Sequence, residues 1–163
     1  MKKLLITPLI ILMLVFSPAV ANTENTLAAL SGTIYFCPHV IDGDTIIVII
    51  GGKKEKVRLI GVDTPETDGP YTKKEPFNRE ASAFTKNMTE GKYVKLKYDR
   101  ERRDKYGRLL AYVYLEDSTF LNVELIKEGY ATVFRKFRFK YRDDFIHYES
   151  EARKSKKGLW KLF

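Results

Sequence analysis

The sequence predicts an α+β fold, in which a small five-stranded β-barrel is combined with about three α-helices. Five short segments have the composition of strands, and helix-like patterns are inserted late, between and after them. A chain of 163 residues is long enough for one compact domain, and it contains no internal repeat or linker-like stretch. A closed or partly closed barrel of five short strands favours the OB-fold.

The strand predictions rest on alternating apolar residues and on β-branched side chains. Gly51-Gly52 is a turn signal, and it predicts a hairpin between the second and third strands. The five predicted strands are 33–37, 45–50, 56–62, 94–98 and 109–115.

The first predicted helix lies between Pro76 and Gly91, after a long surface loop predicted over residues 67–75. Proline fits the first helical turn, where its missing N–H costs nothing, and glycine is typical just beyond a helix end. Four apolar residues recur at helical spacing in this segment and form one stripe: Phe77, Ala81, Phe84 and Met88.

Two further helices are predicted nearer the C-terminus. Asn122 has the side chain of an N-cap, for a short helix that ends at Gly129. The last helix is predicted to begin near residues 143–144, two aspartates that suit a helix N-terminus, and to finish at Gly158 after several lysines. Trp160 is expected to fold back onto the domain.

The N-terminus has the features of a secretory signal peptide over residues 1–21. Two lysines precede an apolar run over 4–16, and Ala19-Val20-Ala21 supplies the small residues of a cleavage site. We therefore expect export to the periplasm or the extracellular space, without membrane association after cleavage. The remaining chain divides into a short leader, 22–30, and one domain, 31–163. A retained anchor is the alternative, although the run is short for a membrane span.

The formal net charge of +8 is compatible with a polyanionic partner, although many basic proteins bind none in particular. Nucleic acid, anionic lipid and wall polymer are the candidates that a basic surface attracts. Cys37 is the only cysteine, so an intrachain disulfide is excluded, and its strand-like surroundings predict a buried, inert thiol. No stable protein partner is indicated, and a monomer is expected.

An acidic pair, Asp42 and Asp44, lies in the stretch IDGDT. The pair superficially resembles the start of an EF-hand, but Ile47 and Lys53 occupy the positions where that loop needs Gly and Glu. A simple turn is one reading of this pair. If strand pairing brings Asp63 beside Asp44, the carboxylates and a backbone carbonyl would instead suit Ca²⁺.

The stretch VRLIGVDTPE places Arg58 in an otherwise apolar strand, shortly before Asp63 and Glu66. A partly buried guanidinium needs an anion, which could be one of these acids or a bound ligand. Strict alternation puts Arg58 and Asp63 on opposite faces, so a bend near Gly61 is required. Arg108, in the stretch DKYGRLLAYVY, enters the last strand at a turn and could equally be a solvated surface charge.

These residue types together fit phosphodiester hydrolysis. A divalent cation and an arginine can neutralise charge on the phosphate oxygens, and a carboxylate can accept the proton of the attacking water. Pro65 would stiffen the strand exit and place Glu66 beside the metal.

The order of these motifs resembles the thermonuclease, or staphylococcal nuclease-like, family over about residues 34–160. The shared stretches are DGDT, RLIGVDTPE and DKYGR, with REASAFTK between the last two. The resemblance implies an OB-fold barrel with helices and a Ca²⁺-dependent enzyme that cleaves DNA and RNA. It also implies 3′-phosphate nucleotides and oligonucleotides as products.

The resemblance further implies roles for the acidic residues and their neighbour. Asp44 and Asp63 correspond to the calcium carboxylates, and Thr64 to the residue whose backbone carbonyl binds the metal. Glu66 corresponds to the general base, and Asp42 to an acid close to the metal.

The basic residues receive substrate roles from the same resemblance. Arg58 and Arg108 correspond to the phosphate-clamping arginines, and Lys105 and Tyr106 to contacts with a terminal phosphate. Arg135, in the stretch FRKFRFKYR, stands where well-known members place a tyrosine against the base. An arginine plane can also stack on a base.

Two other classes of function remain open from the sequence. One is a nucleic-acid-binding module without catalysis, since a fold does not fix a function. The other is a basic protein that adheres to anionic wall or lipid, which leaves Arg58, Asp63 and Glu66 without a role. The basic and aromatic residues 134–141 could form a rim for a single strand or simply pack on the barrel.

Overall fold

The computed structural model describes residues 34–66 and 75–163. The predicted signal peptide and leader lie outside these residues, as does all of the predicted loop 67–75 except Glu75. No helix within the described ranges combines the length and apolarity that a membrane crossing would need.

Residues 34–66 and 75–163 form eight strands, and the predicted α+β class is confirmed. The predicted hairpin is present, with its second strand displaced toward the turn. The strands are β1 (Ile34–Cys37), β2 (His39–Asp42), β3 (Thr45–Ile50), β4 (Lys53–Leu59), β5 (Val62–Asp63), β6 (Lys92–Lys97), β7 (Leu109–Leu115) and β8 (Thr132–Val133).

The strands form a six-stranded sheet in the order β1-β6-β7-β4-β3-β2 and a small β5-β8 ladder. The two ends of this order, β1 and β2, are consecutive parts of one stretch that is interrupted only at Pro38. That stretch pairs with β6 through its first half and with β3 through its second half. The strand order therefore returns to its beginning, as in a five-stranded barrel whose first strand bends at the proline. Strand β2 was not predicted.

In the described part of the chain, three α-helices follow the predicted order, with different starts. They are α1 (Asn78–Thr89), α2 (Leu121–Lys127) and α3 (Arg142–Lys154), and a 3₁₀ helix covers Gly158–Leu162. Helix α1 begins after Phe77 rather than at Pro76, because Phe77 has a left-handed backbone with φ of 72°. Trp160 is buried and its ring lies under the guanidinium of Arg153, so the predicted return of the C-terminus to the domain is confirmed.

The prediction of Asn122 as an N-cap is wrong, because Phe120 holds that position and Asn122 lies inside α2. Its fully buried side chain instead bonds strand backbone. The Asn122 Oδ1 accepts a hydrogen bond of 2.9 Å from the N–H of Val113, and Nδ2 donates to the carbonyls of Ile60 and Ala111. This amide therefore joins helix α2 to the end of β4 and to the middle of β7.

The barrel interior is filled by the inward-facing side chains of the main strands. Ile46 and Val48 alternate inward on β3, and Val57 and Leu59 do so on β4. Phe145 of α3 closes the barrel from the helical side and is fully buried. Because Val57 and Leu59 are inward, Arg58 between them is directed to the outer face.

We expect Asn122→Ala to destabilise the protein by about 1–3 kcal/mol, because the buried N–H of Val113 loses its acceptor. Urea unfolding followed by fluorescence or circular dichroism would measure the change. Asn87→Ala, the same substitution at an exposed position of α1, is the matched control. Equal unfolding free energies for the two variants would contradict the structural role of Asn122.

Candidate functional site

Asp44 lies at the centre of the candidate site, immediately before β3, and is only 7% exposed. Its Oδ2 accepts hydrogen bonds from the backbone N–H and the hydroxyl of Thr64, at 3.0 and 3.1 Å. Its Oδ1 lies 3.0 Å from Nε of Arg58 and accepts a bond of 3.1 Å from the Thr45 hydroxyl. Both oxygens of a buried carboxylate are therefore held in fixed directions.

A close approach of two backbone segments brings Thr64 to Asp44. A Cβ added to Gly43 would lie 2.7 Å from Cγ2 of Thr64, so the absence of a side chain permits the contact. The carbonyl of Gly43 accepts a bond of 2.6 Å from the hydroxyl of Thr85, which is fully buried in α1. The turn before β3 is thus fixed between the strand exit on one side and α1 on the other.

The bend required between Arg58 and Asp63 is present at Gly61. This residue has φ of 76°, and a Cβ there would lie 2.6 Å from the ring of Phe139. Both the left-handed backbone and the close ring favour glycine at this position. The bend separates β4 from β5 and lets the two polar side chains meet.

The guanidinium of Arg58 is held by the backbone that follows it. Its Nη1 donates to the carbonyls of Leu59 and Val62, at 3.1 and 2.6 Å. Its Nη2 donates to Oδ1 of Asp63 at 3.3 Å, while Nε contacts Asp44. One arginine therefore joins the two predicted metal carboxylates, and its plane is fixed before any ligand arrives.

Acidic side chains are crowded around this arginine. Burial, together with the adjacent Asp44, raises the pKa of Asp42 to about 6. Burial also raises the pKa of Asp63; Arg58 opposes this shift, and the carboxylates of Asp44 and Glu66 add to it. The repulsion between neighbouring carboxylates would be relieved by a cation.

The donor chemistry of the site suits a hard divalent cation. Across residues 34–66 and 75–163, no three or more His, Cys, Asp or Glu side chains are grouped as a metal site. The predicted donor set has only two carboxylates, from Asp44 and Asp63, together with the carbonyl of Thr64. All of these donors are oxygen atoms, and Ca²⁺ binds carboxylates, backbone carbonyls and water.

Glu66 lies at the end of the first described range, with an exposed side chain. Its backbone N–H donates to Oε2 of Glu75, and its carbonyl accepts from the N–H of Glu75, both at 3.0 Å. The side-chain amide of Asn78 also donates to this carbonyl, at 3.1 Å. Glu66 is therefore anchored to the start of α1 and remains close to Asp63.

Arg108 belongs to a turn that is organised by Asp104. The Asp104 Oδ1 accepts from the N–H groups of Tyr106 and Arg108, at 2.9 and 3.0 Å. Its Oδ2 accepts from Nε of Arg108 at 2.7 Å. Tyr106 is 73% exposed, and the ammonium group of Lys105 lies 4.9 Å from its ring centroid. The turn presents cations and an aromatic ring to solvent.

The strand register relates Arg108 to Arg58. Strands β4 and β7 are parallel, and Arg58 pairs with Leu110, two residues after Arg108. Alternate residues of a strand share a face, so both arginines originate on the outer face of neighbouring strands. The residues that alternate with them along the two strands point inward and are buried: Val57, Leu59, Leu109 and Ala111.

Arg135 is engaged in an ion pair inside the described structure. Its guanidinium contacts both carboxylate oxygens of Glu149, a side chain that is only 2% exposed. Glu149 also accepts a hydrogen bond of 2.9 Å from the N–H of Val133. The side chain of Arg135 remains 46% exposed, so stacking on a base stays a prediction, with part of the guanidinium already bound.

Phe134, the first residue of the predicted rim 134–141, is a neighbour of Arg58, and this contact was not predicted. Its ring centroid lies 5.9 Å from the guanidinium carbon of Arg58, and its N–H donates to the carbonyl of Gly61 at 3.0 Å. The ring also lies 5.7 Å from that of Phe137, which is 66% exposed. Asn78, Thr85 and Glu149 were missed as well, because ordinary polar residues become informative only when their partners are known.

Comparison with known proteins gives one family and several relatives. A family model described as Staphylococcal nuclease homologue matches residues 56–162. A thermonuclease of Staphylococcus intermedius is 49% identical over 130 residues, which cover 79% of this chain and 77% of that protein. A thermonuclease of Staphylococcus hyicus is 46% identical over 123 residues, with coverages of 75% and 72%. Endonuclease YncB of Bacillus subtilis (strain 168) is 45% identical over 125 residues, with coverages of 75% and 59%.

We expect Thr64→Val to destabilise the protein by about 1–2 kcal/mol, because Asp44 loses a hydroxyl donor while the volume of the side chain is kept. Urea unfolding would measure the change. In an Asp44→Ala background the same substitution should cost much less, since the partner is absent. A coupling energy near zero between the two sites would contradict the contact.

Proposed function

The chain belongs to the staphylococcal nuclease homologue family, and we propose that it is an exported, Ca²⁺-dependent nuclease. It hydrolyses phosphodiester bonds of DNA and RNA and releases nucleotides and oligonucleotides with 3′-phosphates. The nuclease assignment is supported by the thermonucleases and the endonuclease to which the chain is similar. The OB-fold of the family agrees with the barrel formed by the described strands.

The observation that carries this proposal is the convergence of two distant stretches on one guanidinium. Asp44 comes from the turn before β3, and Asp63 comes from β5, beyond the bend at Gly61. Both contact Arg58, which β4 delivers to the outer face of the barrel. A purely structural ion pair would need only one of these acids, whereas two acids and an arginine suit a metal-assisted phosphate site.

Arg58 and Arg108 neutralise the charge that develops on the phosphate oxygens. Two backbone carbonyls fix Nη1 of Arg58. The guanidinium is therefore already oriented before substrate binds, and binding need not order it. Arg108 is oriented by Asp104 in the same manner. Its place at the start of β7 suits the leaving-oxygen side of the scissile bond.

Asp44, Asp63 and the carbonyl of Thr64 would hold the calcium ion. When bound, this ion supplies Lewis-acid charge neutralisation at the phosphate. Thr64 contributes twice, since its N–H and hydroxyl also orient the Asp44 carboxylate. Asp42 accepts the N–H of Asp44 at 3.0 Å and so fixes the backbone from which that carboxylate projects.

Glu66 acts as the general base that accepts a proton from the attacking water. Its exposed side chain leaves room for water, and its backbone anchors to Glu75 and Asn78 keep it near Asp63. A general base must lie within hydrogen-bond reach of the water that it activates, directly or through a second water.

The remaining cations guide the substrate strand. Lys105 and Tyr106 contact a terminal phosphate, and Arg135 contributes charge beside the exposed ring of Phe137. Contacts to backbone phosphates and stacked bases carry little sequence information, so base preference should be weak. Residues 1–21 direct export, and the enzyme acts as a monomer that needs no protein partner.

We expect cleavage of heat-denatured DNA and of RNA to require Ca²⁺ and to stop in excess EGTA. Glu66→Gln should lower turnover by about 10²–10⁴-fold with little loss of substrate binding, the range typical for removal of a general base. Acid-soluble nucleotide release would measure turnover, and filter binding would measure affinity.

Glu116→Gln, the same change at an exposed position after β7, is the matched control and should retain activity. Wild-type turnover in Glu66→Gln would remove the assignment of the base. Binding without cleavage under every condition would instead favour a nucleic-acid-binding module.

We expect the triple variant Arg135→Ala, Lys136→Ala and Arg138→Ala to weaken the salt dependence of binding to single-stranded DNA. The slope of log K against log salt should become shallower by about 0.7 for each phosphate that the variant no longer neutralises. Lys54→Ala, Lys86→Ala and Lys161→Ala remove the same formal charge at scattered exposed positions and form the control. An unaltered slope in the first variant would exclude a strand-binding rim there.

A further inference from the structure

A second ion pair connects strand β4 with the turn that carries Arg108. Nη1 of Arg103 lies 2.9 Å from Oε2 of Glu55, and Nη2 lies 3.1 Å from Oε1. The same Nη1 donates a hydrogen bond of 2.6 Å to the carbonyl of Gly107. One guanidinium therefore contacts the strand and the turn at once.

The contact between Glu55 and Arg103 lies beyond the end of the backbone pairing between strands β4 and β7. Strands β4 and β7 pair only over 57–59 and 109–111. Before Val57, strand β4 continues through Glu55 while the chain on the other side forms the turn. The two-pronged contact between Glu55 and Arg103 thus joins the two segments beyond the end of their ladder.

The turn itself is internally braced, so it can shift only as a unit. Asp104 accepts hydrogen bonds from three donors of Tyr106 and Arg108, and its carbonyl accepts the N–H of Gly107 at 3.0 Å. At the base of the turn, Arg103 bridges to Leu109. The orientation of a rigid turn on such a narrow base depends on any further attachment to the barrel.

We propose that Glu55 and Arg103 are positioning residues that set the place of the Arg108 turn relative to Arg58. This inference rests on the nuclease function proposed above, in which both arginines act on one phosphate. Glu55 and Arg58 belong to the same strand, so an anchor at Glu55 ties the turn to the strand that carries the other arginine. A displacement of about 1 Å at such a site can cost about 10²-fold in rate.

The solvent exposure of the Glu55–Arg103 ion pair argues against a main role in folding stability. The side chains of Glu55 and Arg103 are 29% and 47% exposed. The hydrogen bond from Arg103 lowers the pKa of the Glu55 carboxyl, so the acid is ionised at neutral pH. Exposed ion pairs contribute little to folding stability. Loss of this pair should therefore appear in catalysis and not in the unfolding free energy.

Glu55→Gln is the decisive variant, because an electrostatic role and a positioning role of Glu55 predict opposite changes in the cleavage rate. A purely electrostatic role predicts tighter binding and faster cleavage, since a negative charge is removed near a polyanionic substrate. The positioning role predicts a fall in kcat of about 10-fold to 10²-fold with KM unchanged or lower. Arg103→Lys keeps the charge but cannot form the planar two-pronged contact, so we expect the same loss of kcat.

Glu101→Gln is the matched control, since Glu101 is an exposed acid in the same loop. This control should leave kcat unchanged. Urea unfolding should give the same unfolding free energy for wild type, Glu55→Gln, Arg103→Lys and Glu101→Gln. Amide hydrogen exchange provides a readout that does not depend on activity. The N–H groups of Tyr106, Gly107 and Arg108 should exchange faster in Glu55→Gln than in wild type or Glu101→Gln.

Unchanged kcat and unchanged exchange in Glu55→Gln would overturn the positioning role while leaving the proposed nuclease intact. Higher kcat/KM in this variant would overturn it in favour of simple electrostatics. A wild-type protein that cleaves neither DNA nor RNA with Ca²⁺ would instead overturn the proposed function, and the positioning role with it, whatever the exchange rates. Lower kcat with faster exchange at the turn supports the proposal.

Discussion

The buried contact between Asp44 and Arg58 is the interaction on which the site depends. A carboxylate and a guanidinium removed from water are costly unless each finds partners for its remaining polar atoms. Here Thr64 and Thr45 complete the bonding of the acid, and the carbonyls of Leu59 and Val62 complete that of the arginine. Removing Arg58 would leave the Asp44 carboxylate buried without a partner of opposite charge. The turn before β3 and the bend after β4 are therefore held together by one pair.

The proposed function offers a reason why more acidic side chains lie here than the contact between Asp44 and Arg58 requires. Asp42 and Asp63 lie close to the paired charges, and burial raises the pKa of both. A protein selected only for stability would not retain such repulsion beside a buried arginine. In the proposed function a bound cation would relieve this crowding, with Asp44 and Asp63 as its carboxylate ligands. Strain of this kind, concentrated at one place, is typical of catalytic sites.

The loops around the site are fastened by side chains where the ladders end. Asn122 bonds the backbone of Ile60 and Val113, and Arg103 joins the Arg108 turn to β4. The barrel supplies rigid strands, whereas the Arg108 turn, which the proposed function places at the phosphate, lies just beyond them. Side-chain contacts at these margins therefore decide the distances within the site, although they add little to the hydrophobic core.

The sequence by itself determined the class of fold, the main strands and the three motifs, because apolar periodicity and clustered Asp, Arg and Glu are local signals. It also required the bend at Gly61, since alternation alone separates Arg58 from Asp63. Only the tertiary structure decided that Asn122 is a buried strand anchor and that Arg135 is paired with Glu149. Such roles depend on partners that are distant in the chain, and the position of a partner in space is set by the packing of the whole barrel.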